Sequence, residues 1–243
     1  MAVPSIIVPA LTLWNLSGEV DRGATAAYAQ RAADTWLDLF MLSGSIGEGK
    51  TSTPFARRCT LEAWLDKVPK ERLLTCIWSD DDYDAALSLG VRPVVVLQNL
   101  ENSKSLMKLL SRIPTGSFIY SHPQYSQTTL TPSNAARAVQ EGVLPAGGKL
   151  SKISLEDLRN LRTTVGNEFA LYDGRCRHIE ASVRAGANGV VVVPFSALPL
   201  QLPHRHEITK LQSLINQMQS LVDNQKGTNA QARLLTEILS ANL

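Results

Sequence analysis

Short apolar runs alternate along the chain with segments in which apolar residues recur at helical spacing. The runs are typical of buried strands, and each is followed by a helical pattern. Eight such runs are present. Five of them cover residues 6–8, 39–42, 73–78, 93–97 and 117–120. The sixth ends at residues 147–149, and the last two cover residues 169–172 and 190–193. Strict alternation of strand and helix predicts a parallel sheet, and eight units predict a closed (β/α)8 barrel. An open, doubly wound sheet is the structural alternative.

Capping residues mark where several of the helices begin. Asp21, Thr131 and Ser154 each precede a helical pattern and can accept a hydrogen bond from its first turn. Pro132 suits the first helical turn, and Gly142 can end the helix that it starts. The predicted helices in this part of the chain are 22–36, 55–68 after Thr53-Pro54, 82–89, 103–111, 132–142, 155–163 and 176–185.

From His204 onward the pattern changes to helices alone. A long amphipathic helix is predicted, followed by a last helix over 232–239. The apolar positions at helical spacing are Ile208, Leu211, Leu214, Ile215, Met218 and Leu221. We therefore expect a (β/α)8 (TIM) barrel as the catalytic domain over residues 1–203 and a short helical extension over 204–243. The extension packs on the barrel or lies at an oligomer interface, and the pattern leaves both open.

Composition narrows the class of protein. The chain has 243 residues, 44% of them hydrophobic, and a net charge of +2 from interspersed residues, which does not favour nucleic-acid binding or a polybasic membrane anchor. The three cysteines show no C-x-x-C pattern, so reduced thiols and a cytoplasmic location are expected. No run reaches the ~18 apolar residues of a membrane span, and the first residues lack the basic region of a signal peptide.

The stretch from Phe118 to Leu150 carries the candidate chemistry. It reads as strand, loop, helix and strand, with Tyr120 and Lys149 at the two strand ends. Parallel neighbouring strands lie about 4.8 Å apart, so a phenol and an amine would leave adjacent strands toward one barrel mouth. A buried amine favours its neutral form, which imine chemistry requires. The alternatives are a solvated surface lysine and a core tyrosine, and Lys152 is a second candidate lysine.

Four motifs resemble those of one enzyme family, in the right order. Gly44-Ser45-Ile46-Gly47-Glu48 resembles a G-T-T-G-E turn, Tyr120-Ser121-His122-Pro123 resembles Y-N-x-P, and Gly148-Lys149 resembles G-x-K-x-S. Residues 184–189 also resemble a G-A-x-G segment before the last strand. The chain is thereby similar, over about residues 4–200, to the dihydrodipicolinate synthase/N-acetylneuraminate lyase family, the class I pyruvate-dependent aldolases, as a divergent and shortened member.

The resemblance implies a lyase that needs no cofactor and binds pyruvate or another 2-oxo acid together with an aldehyde. Lys149 is then the Schiff-base lysine and Tyr120 the proton shuttle, with the Ser45 hydroxyl hydrogen-bonded to this tyrosine. The turn Gly44–Gly47 would hold the substrate carboxylate, since a glycine-flanked turn offers backbone N–H groups to an anion.

The sequence departs from the family pattern at several of these positions. Ile46 replaces a second hydroxyl, Ser121 replaces the asparagine, and Tyr125 stands where dicarboxylate-binding members have an arginine. Residues 97–99 lack the aromatic that completes a proton relay across a subunit interface. We therefore expect an aldehyde other than that of lysine biosynthesis, and a homo-oligomer whose sites are each completed within one chain. A barrel that has lost catalysis is a further alternative.

Further polar residues are candidates for substrate contacts. His122 lies beside Tyr120 and could touch substrate or remain a solvated loop histidine, and Arg175 leaves the seventh strand as an anion clamp or a surface ion pair. His204 and His206 have no third ligand nearby in sequence, so no metal site is expected.

Residues Gly44–Thr51 match a different motif, the P-loop G-x-x-x-x-G-K-[ST]. A P-loop NTPase using Lys50, with Asp80 or Asp173 as the second acidic motif, is therefore a rival enzyme class. In a P-loop the helix begins at the Gly-Lys-Thr, whereas Pro54 favours a later start.

Overall fold

Eight parallel strands close into a barrel in sequence order, β1 to β8. The computed structural model describes residues 3–202, 204–208, 210 and 212–242. The strands are β1 Ser5–Pro9, β2 Leu39–Leu42, β3 Leu73–Ile77, β4 Arg92–Val96, β5 Phe118–Ser121, β6 Gly147–Leu150, β7 Ala170–Asp173 and β8 Gly189–Val191. The predicted (β/α)8 barrel is thereby confirmed, and the open doubly wound sheet is wrong.

Helices follow the strands, and their caps satisfy the backbone N–H groups that a helix start leaves unpaired. The side chains of Asp21, Thr131 and Ser154 each accept a hydrogen bond from the backbone N–H of the residue three positions later, as predicted. The helices are α1 Arg22–Ala33, α2 Pro54–Leu65, α3 Asp80–Ser88, α4 Ser103–Leu110, α5 Pro132–Gln140, α6 Leu155–Val165, α7 Ile179–Arg184, α8 Gln212–Asp223 and α9 Thr228–Asn242.

The chain forms two compact units, of which the first comprises the described residues up to Pro93 and those from Val192 onward. Its core includes Trp64 of α2, whose side chain is fully buried. The ring of Tyr28 meets that indole edge-on, with centroids 5.1 Å apart, and the Phe40 ring lies at the same distance. Aromatic packing of this kind joins α1 and α2 to β2.

The second unit, residues 94–191, contains strands β5, β6 and β7 and the helices around them. Every residue of β5 and β6 is buried. Gly148 permits this packing, because a Cβ atom there would lie 2.9 Å from the Ile119 side chain. Leu158 and Leu161 of α6 are fully buried in the same unit.

The C-terminal helices have other bounds than predicted, and the last one spans Thr228–Asn242 rather than residues 232–239. The first one begins at Gln212 rather than near residue 208, since residues 205–207 form a 3-10 turn, and Leu211 lies outside the described residues. Ile215 is buried whereas Leu214 and Leu221 are exposed. Helices α8 and α9 pack against the 3-10 turn Val193–Ala197. A domain boundary at residue 203 and an oligomer interface on α8 stay predictions.

Candidate active site

Three aromatic or basic residues occupy the same level on three neighbouring strands of the second unit. Tyr120 of β5 pairs with Lys149 of β6, which pairs with Tyr172 of β7. Side chains at paired positions of a sheet project from the same face. Lys149 therefore lies between two tyrosines, of which only Tyr120 was predicted.

The Lys149 amine is buried against one of these rings. The side chain is only 7% exposed, and its Nζ atom lies 3.9 Å from the centroid of the Tyr120 ring. An amine over the face of an aromatic ring makes a favourable electrostatic contact when charged and is shielded from water when neutral. Lys149 is not a surface lysine. Lys152, the second candidate, is exposed and has a backbone φ of 57°.

The ring of Phe118, one layer below Lys149, meets the ring of Tyr172 from the level of Lys149, on the same face of the strands. Gly147 is paired with Phe118 and with Ala170. A Cβ atom on Gly147 would lie 2.6 Å from the Ala170 carbonyl oxygen and 2.9 Å from the Phe118 ring. Across this side-chain-free position the rings of Phe118 and Tyr172 approach to 6.1 Å between centroids. Sequence reasoning missed both residues, although each lies in a predicted strand.

The loop after β5 brings two further predicted residues to Tyr120. The rings of His122 and Tyr125 meet the Tyr120 ring edge-on, with centroid distances of 6.0 and 5.8 Å. The two loop rings lie 5.5 Å from each other. The Tyr125 N–H donates to the His122 carbonyl, and the Asn99 N–H donates to the Tyr125 carbonyl, so the backbone holds the cluster.

His122 is a neutral imidazole. Its Nδ1 atom accepts a hydrogen bond of 2.9 Å from the Gln124 N–H, which leaves the proton of the neutral ring on Nε2. Burial, together with the positive charges of Lys149 and Lys152, lowers the pKa of His122 to about 4. At neutral pH the ring can therefore donate one hydrogen bond from Nε2 but carries no charge for an anion.

The predicted clamp, Arg175, is held within the loops. Its guanidinium lies 3.6 Å from the Asp173 carboxylate and donates to the Ile153 carbonyl oxygen. Asp173 is buried and accepts from the Ser182 hydroxyl at 2.7 Å. Burial raises the pKa of Asp173, and the hydrogen bonds from Ser182 and Arg175 oppose that effect. The ion pair foreseen as the alternative for Arg175 is present, and its contact with substrate stays a prediction.

The glycine-rich turn after β2 belongs to the first unit and is closed by its own backbone. The Gly49 N–H donates to the Gly44 carbonyl, and the Glu48 N–H donates to the Ser45 carbonyl. The Gly47 carbonyl accepts from the Thr12 hydroxyl at 2.6 Å. Within the turn Gly44, Ile46 and Gly47 are buried and Ser45 is partly exposed. Carboxylate binding by this turn and the hydroxyl role of Ser45 stay predictions.

The same turn lacks the geometry of a P-loop. Helix α2 begins at Pro54, several residues after the Gly49–Thr51 at which a P-loop helix would start. The buried Arg57 guanidinium donates to the Gly49 carbonyl at 2.9 Å and is paired with Asp82 at 2.7 Å. The turn thus already binds the positively charged Arg57 side chain. In addition, the closed barrel differs from the open sheet of a P-loop protein. The P-loop interpretation is not supported.

The described part of the chain offers neither a metal-binding cluster nor a membrane-spanning helix. No group of three His, Cys, Asp or Glu side chains there could hold a metal ion. His204 and His206 instead stack on each other, with centroids 5.7 Å apart. No helix among the described residues is long and apolar enough to cross a bilayer.

Solved structures of aldolases and of a dihydrodipicolinic acid synthase family protein share this fold. A two-residue variant of Sulfolobus solfataricus 2-keto-3-deoxygluconate aldolase matches with a TM-score of 0.79 and 16% identity, over 98% of this chain and 86% of that one. Ruminococcus gnavus sialic acid aldolase matches with a TM-score of 0.73 and 16% identity, over 97% and 79%. YagE, a prophage protein of the dihydrodipicolinic acid synthase family from E. coli solved with pyruvate, gives 0.77 and 16%, over 99% and 88%.

The TM-scores establish a shared fold, whereas sequence identities of 16% establish no shared chemistry. No family model and no curated protein matches the sequence.

Proposed function

We propose that the chain is a class I aldolase or lyase acting on pyruvate or a related 2-oxo acid, and a member of the dihydrodipicolinate synthase/N-acetylneuraminate lyase family. The observation that carries the proposal is the buried Lys149 amine, 3.9 Å from the Tyr120 ring at the end of β6. Support also comes from the fold shared with aldolases and with a dihydrodipicolinic acid synthase family protein solved with pyruvate.

The proposed reaction begins with attack of the Lys149 amine nitrogen on the keto carbon of the 2-oxo acid. The carbinolamine takes up one proton on its hydroxyl and loses water, which gives an iminium ion. Loss of a proton from the neighbouring carbon gives an enamine, whose carbon attacks the aldehyde carbon while the aldehyde oxygen takes up a proton. Water then adds to the new iminium ion and releases the product, the free amine and one proton. Cleavage is the same sequence in reverse.

In this mechanism the Tyr120 hydroxyl moves protons between substrate oxygen and nitrogen atoms. The Tyr120 ring shields the amine at the same time, because Nζ lies over its face. Ser45 would assist the hydroxyl, and the turn Gly44–Gly47 would hold the carboxylate through backbone N–H groups. The hydrophobic Ile46 leaves that task to the backbone alone.

The loop after β5 would contact the rest of the substrate. His122 would act as a neutral donor through Nε2, since its Nδ1 is engaged by Gln124. Tyr125, whose ring meets His122, would form the wall beside it. Arg175 would bind an anionic substrate only if its ion pair with Asp173 were partly broken. We also propose a homo-oligomer, from the exposed Leu214 and Leu221 on α8, and a cytoplasmic location, from the composition.

Borohydride trapping tests the proposal. Reduction in the presence of pyruvate converts an imine into a stable secondary amine, and intact mass with peptide mapping locates it. We expect one pyruvate adduct on Lys149 in the wild type and in the controls Lys152→Ala and Lys50→Ala, and none in Lys149→Ala. An adduct on another lysine would reassign the site. Absence of any adduct with a series of 2-oxo acids would favour a barrel that has lost catalysis.

A further inference from the structure

Two rings from the strands that flank β6 meet on the face from which Lys149 projects. Phe118 of β5 and Tyr172 of β7 approach to 6.1 Å across Gly147, which contributes no side chain of its own. Phe118 is 4% exposed and Tyr172 is 7% exposed. Their contact is therefore part of a packed interior and forms a floor on the face from which Lys149 projects.

The two paired residues beside this floor, Gly147 and Ala170, contribute little side-chain volume. Gly147 has no Cβ, and a Cβ there would lie 2.9 Å from the Phe118 ring. Its partner on β7, Ala170, carries one methyl group. Loss of the Tyr172 ring would consequently leave a cavity next to Lys149 on the β7 side, because packed interiors collapse only in part around a deleted side chain.

We propose that Tyr172 is a specificity-determining residue, whose ring limits the size of the carbonyl compound that the Lys149 amine can attack. The inference rests on the proposed function for its choice of 2-oxo acid, but the size limit concerns any carbonyl compound. Packing of the ring against Phe118 supplies the limit, and the hydroxyl does not. Tyr172→Phe should therefore keep the limit, whereas Tyr172→Leu and Tyr172→Ala should relax it.

The size of the expected effect follows from the discrimination that apolar pockets achieve. One additional methylene group changes reactivity in a tight apolar pocket by roughly 10- to 200-fold. 2-Oxobutanoate is one carbon longer than pyruvate and otherwise identical in its reacting groups. The rate of its trapping on Lys149, divided by the rate for pyruvate, should therefore rise at least about 10-fold in Tyr172→Ala and remain at the wild-type value in Tyr172→Phe.

A second pair of reagents removes the dependence on enzymatic function. Formaldehyde and propanal form imines with any accessible neutral amine, and borohydride fixes them as alkylated lysine. Peptide mapping gives the ratio of propyl to methyl addition on Lys149, and the exposed Lys152 in the same sample serves as internal control. We expect the Lys149 ratio to rise in Tyr172→Ala and Tyr172→Leu while the Lys152 ratio is unchanged.

The two arms separate the two hypotheses. If no 2-oxo acid is trapped in any variant but the Lys149 aldehyde ratio rises on loss of the ring, the proposed function fails and the role of Tyr172 stands. If the aldehyde ratio on Lys149 is the same in wild type, Tyr172→Phe and Tyr172→Leu, the role of Tyr172 is wrong. A rise of equal size in Tyr172→Phe also overturns it, because the ring is then not the limiting group. The leucine variant retains much of the volume and guards against loss of folding in the alanine variant.

Discussion

The Nζ atom of Lys149 lies 3.9 Å from the centre of the Tyr120 ring, so the tyrosine meets the amine with its face. Ring and hydroxyl can therefore serve two purposes in the proposed mechanism. The ring shields the amine from water, and the hydroxyl moves protons. A substitution that removes only one of them separates the two.

Tyr120→Phe should preserve imine formation and impair turnover. The phenylalanine ring remains beneath the amine, so the yield of the pyruvate adduct on Lys149 should stay close to that of the wild type. Without the hydroxyl, turnover should fall by roughly 10²- to 10⁴-fold, the usual contribution of one acid-base group. Steady-state kinetics and borohydride trapping measure the two quantities. An unchanged turnover number would remove the Tyr120 hydroxyl from the mechanism.

The sequence predicted strands best where both ends carry a clear signal. The residues 39–42 of β2 were predicted without error, since an apolar run ends there at polar and glycine residues. Helix α7 was predicted to start at residue 176 and begins at Ile179. The reason is a turn in which the Arg175 N–H donates to the Asp173 carboxylate, which delays the helix. Such contacts are formed by the fold and have no periodic signature.

His122 should make stability depend on pH below neutrality. Its pKa in the folded chain is lowered to about 4 by burial and by Lys149 and Lys152, against an ordinary value near 6.5. As the pH falls from about 6.5 toward about 4, the unfolded chain takes up this proton while the folded chain does not. The free energy of unfolding must then decrease over that window. Above it neither state is protonated, and the effect vanishes.

His122→Asn isolates this contribution. We expect the free energy of unfolding, measured in urea, to decline less between about pH 7 and about pH 5 in the variant than in the wild type. Comparison at pH 8, where the ring is neutral in both states, corrects for the change in packing. Equal slopes in the two proteins, or an NMR titration of the imidazole near its ordinary pKa, would contradict the neutral donor assigned to His122.

The residues of the candidate site could be predicted from the sequence less completely than the fold. Tyr120 and Lys149 could be found because each ends a recognisable segment. Tyr172 could not, since the run 169–172 reads as a strand without telling which residues share a face with Lys149. That information lies in the register Lys149 to Tyr172, which hydrogen bonds between strands distant in sequence determine.

Gly147→Ala should destabilise the chain. Its Cβ would lie 2.6 Å from the Ala170 carbonyl oxygen and 2.8 Å from the Ala170 Cβ, and backbone cannot withdraw cheaply from a paired strand. Overpacking of this kind costs about 1–3 kcal/mol in the free energy of unfolding. Gly23→Ala in α1 is the control, because the new Cβ would meet only the Asp21 carboxylate at 3.5 Å. Urea unfolding that gives both variants the same stability would show that the β6 strand is looser than the close contacts imply.

Lys149 and Tyr120 of one chain should act together, whatever the number of chains in the assembly. The two residues sit on paired positions of adjacent strands and touch, so neither can be replaced by its copy in a second subunit. Lys149→Ala chains and Tyr120→Phe chains, mixed by joint refolding, should therefore show only the sum of their separate activities. The control is a mixture of wild-type and Lys149→Ala chains, whose activity should follow the wild-type fraction. Size-exclusion chromatography with light scattering gives the number of subunits and verifies that mixed assemblies form. Activity above the sum in such assemblies would place a catalytic group from one chain in the site of another, and the single-chain site argued from the Lys149–Tyr120 contact would then be wrong.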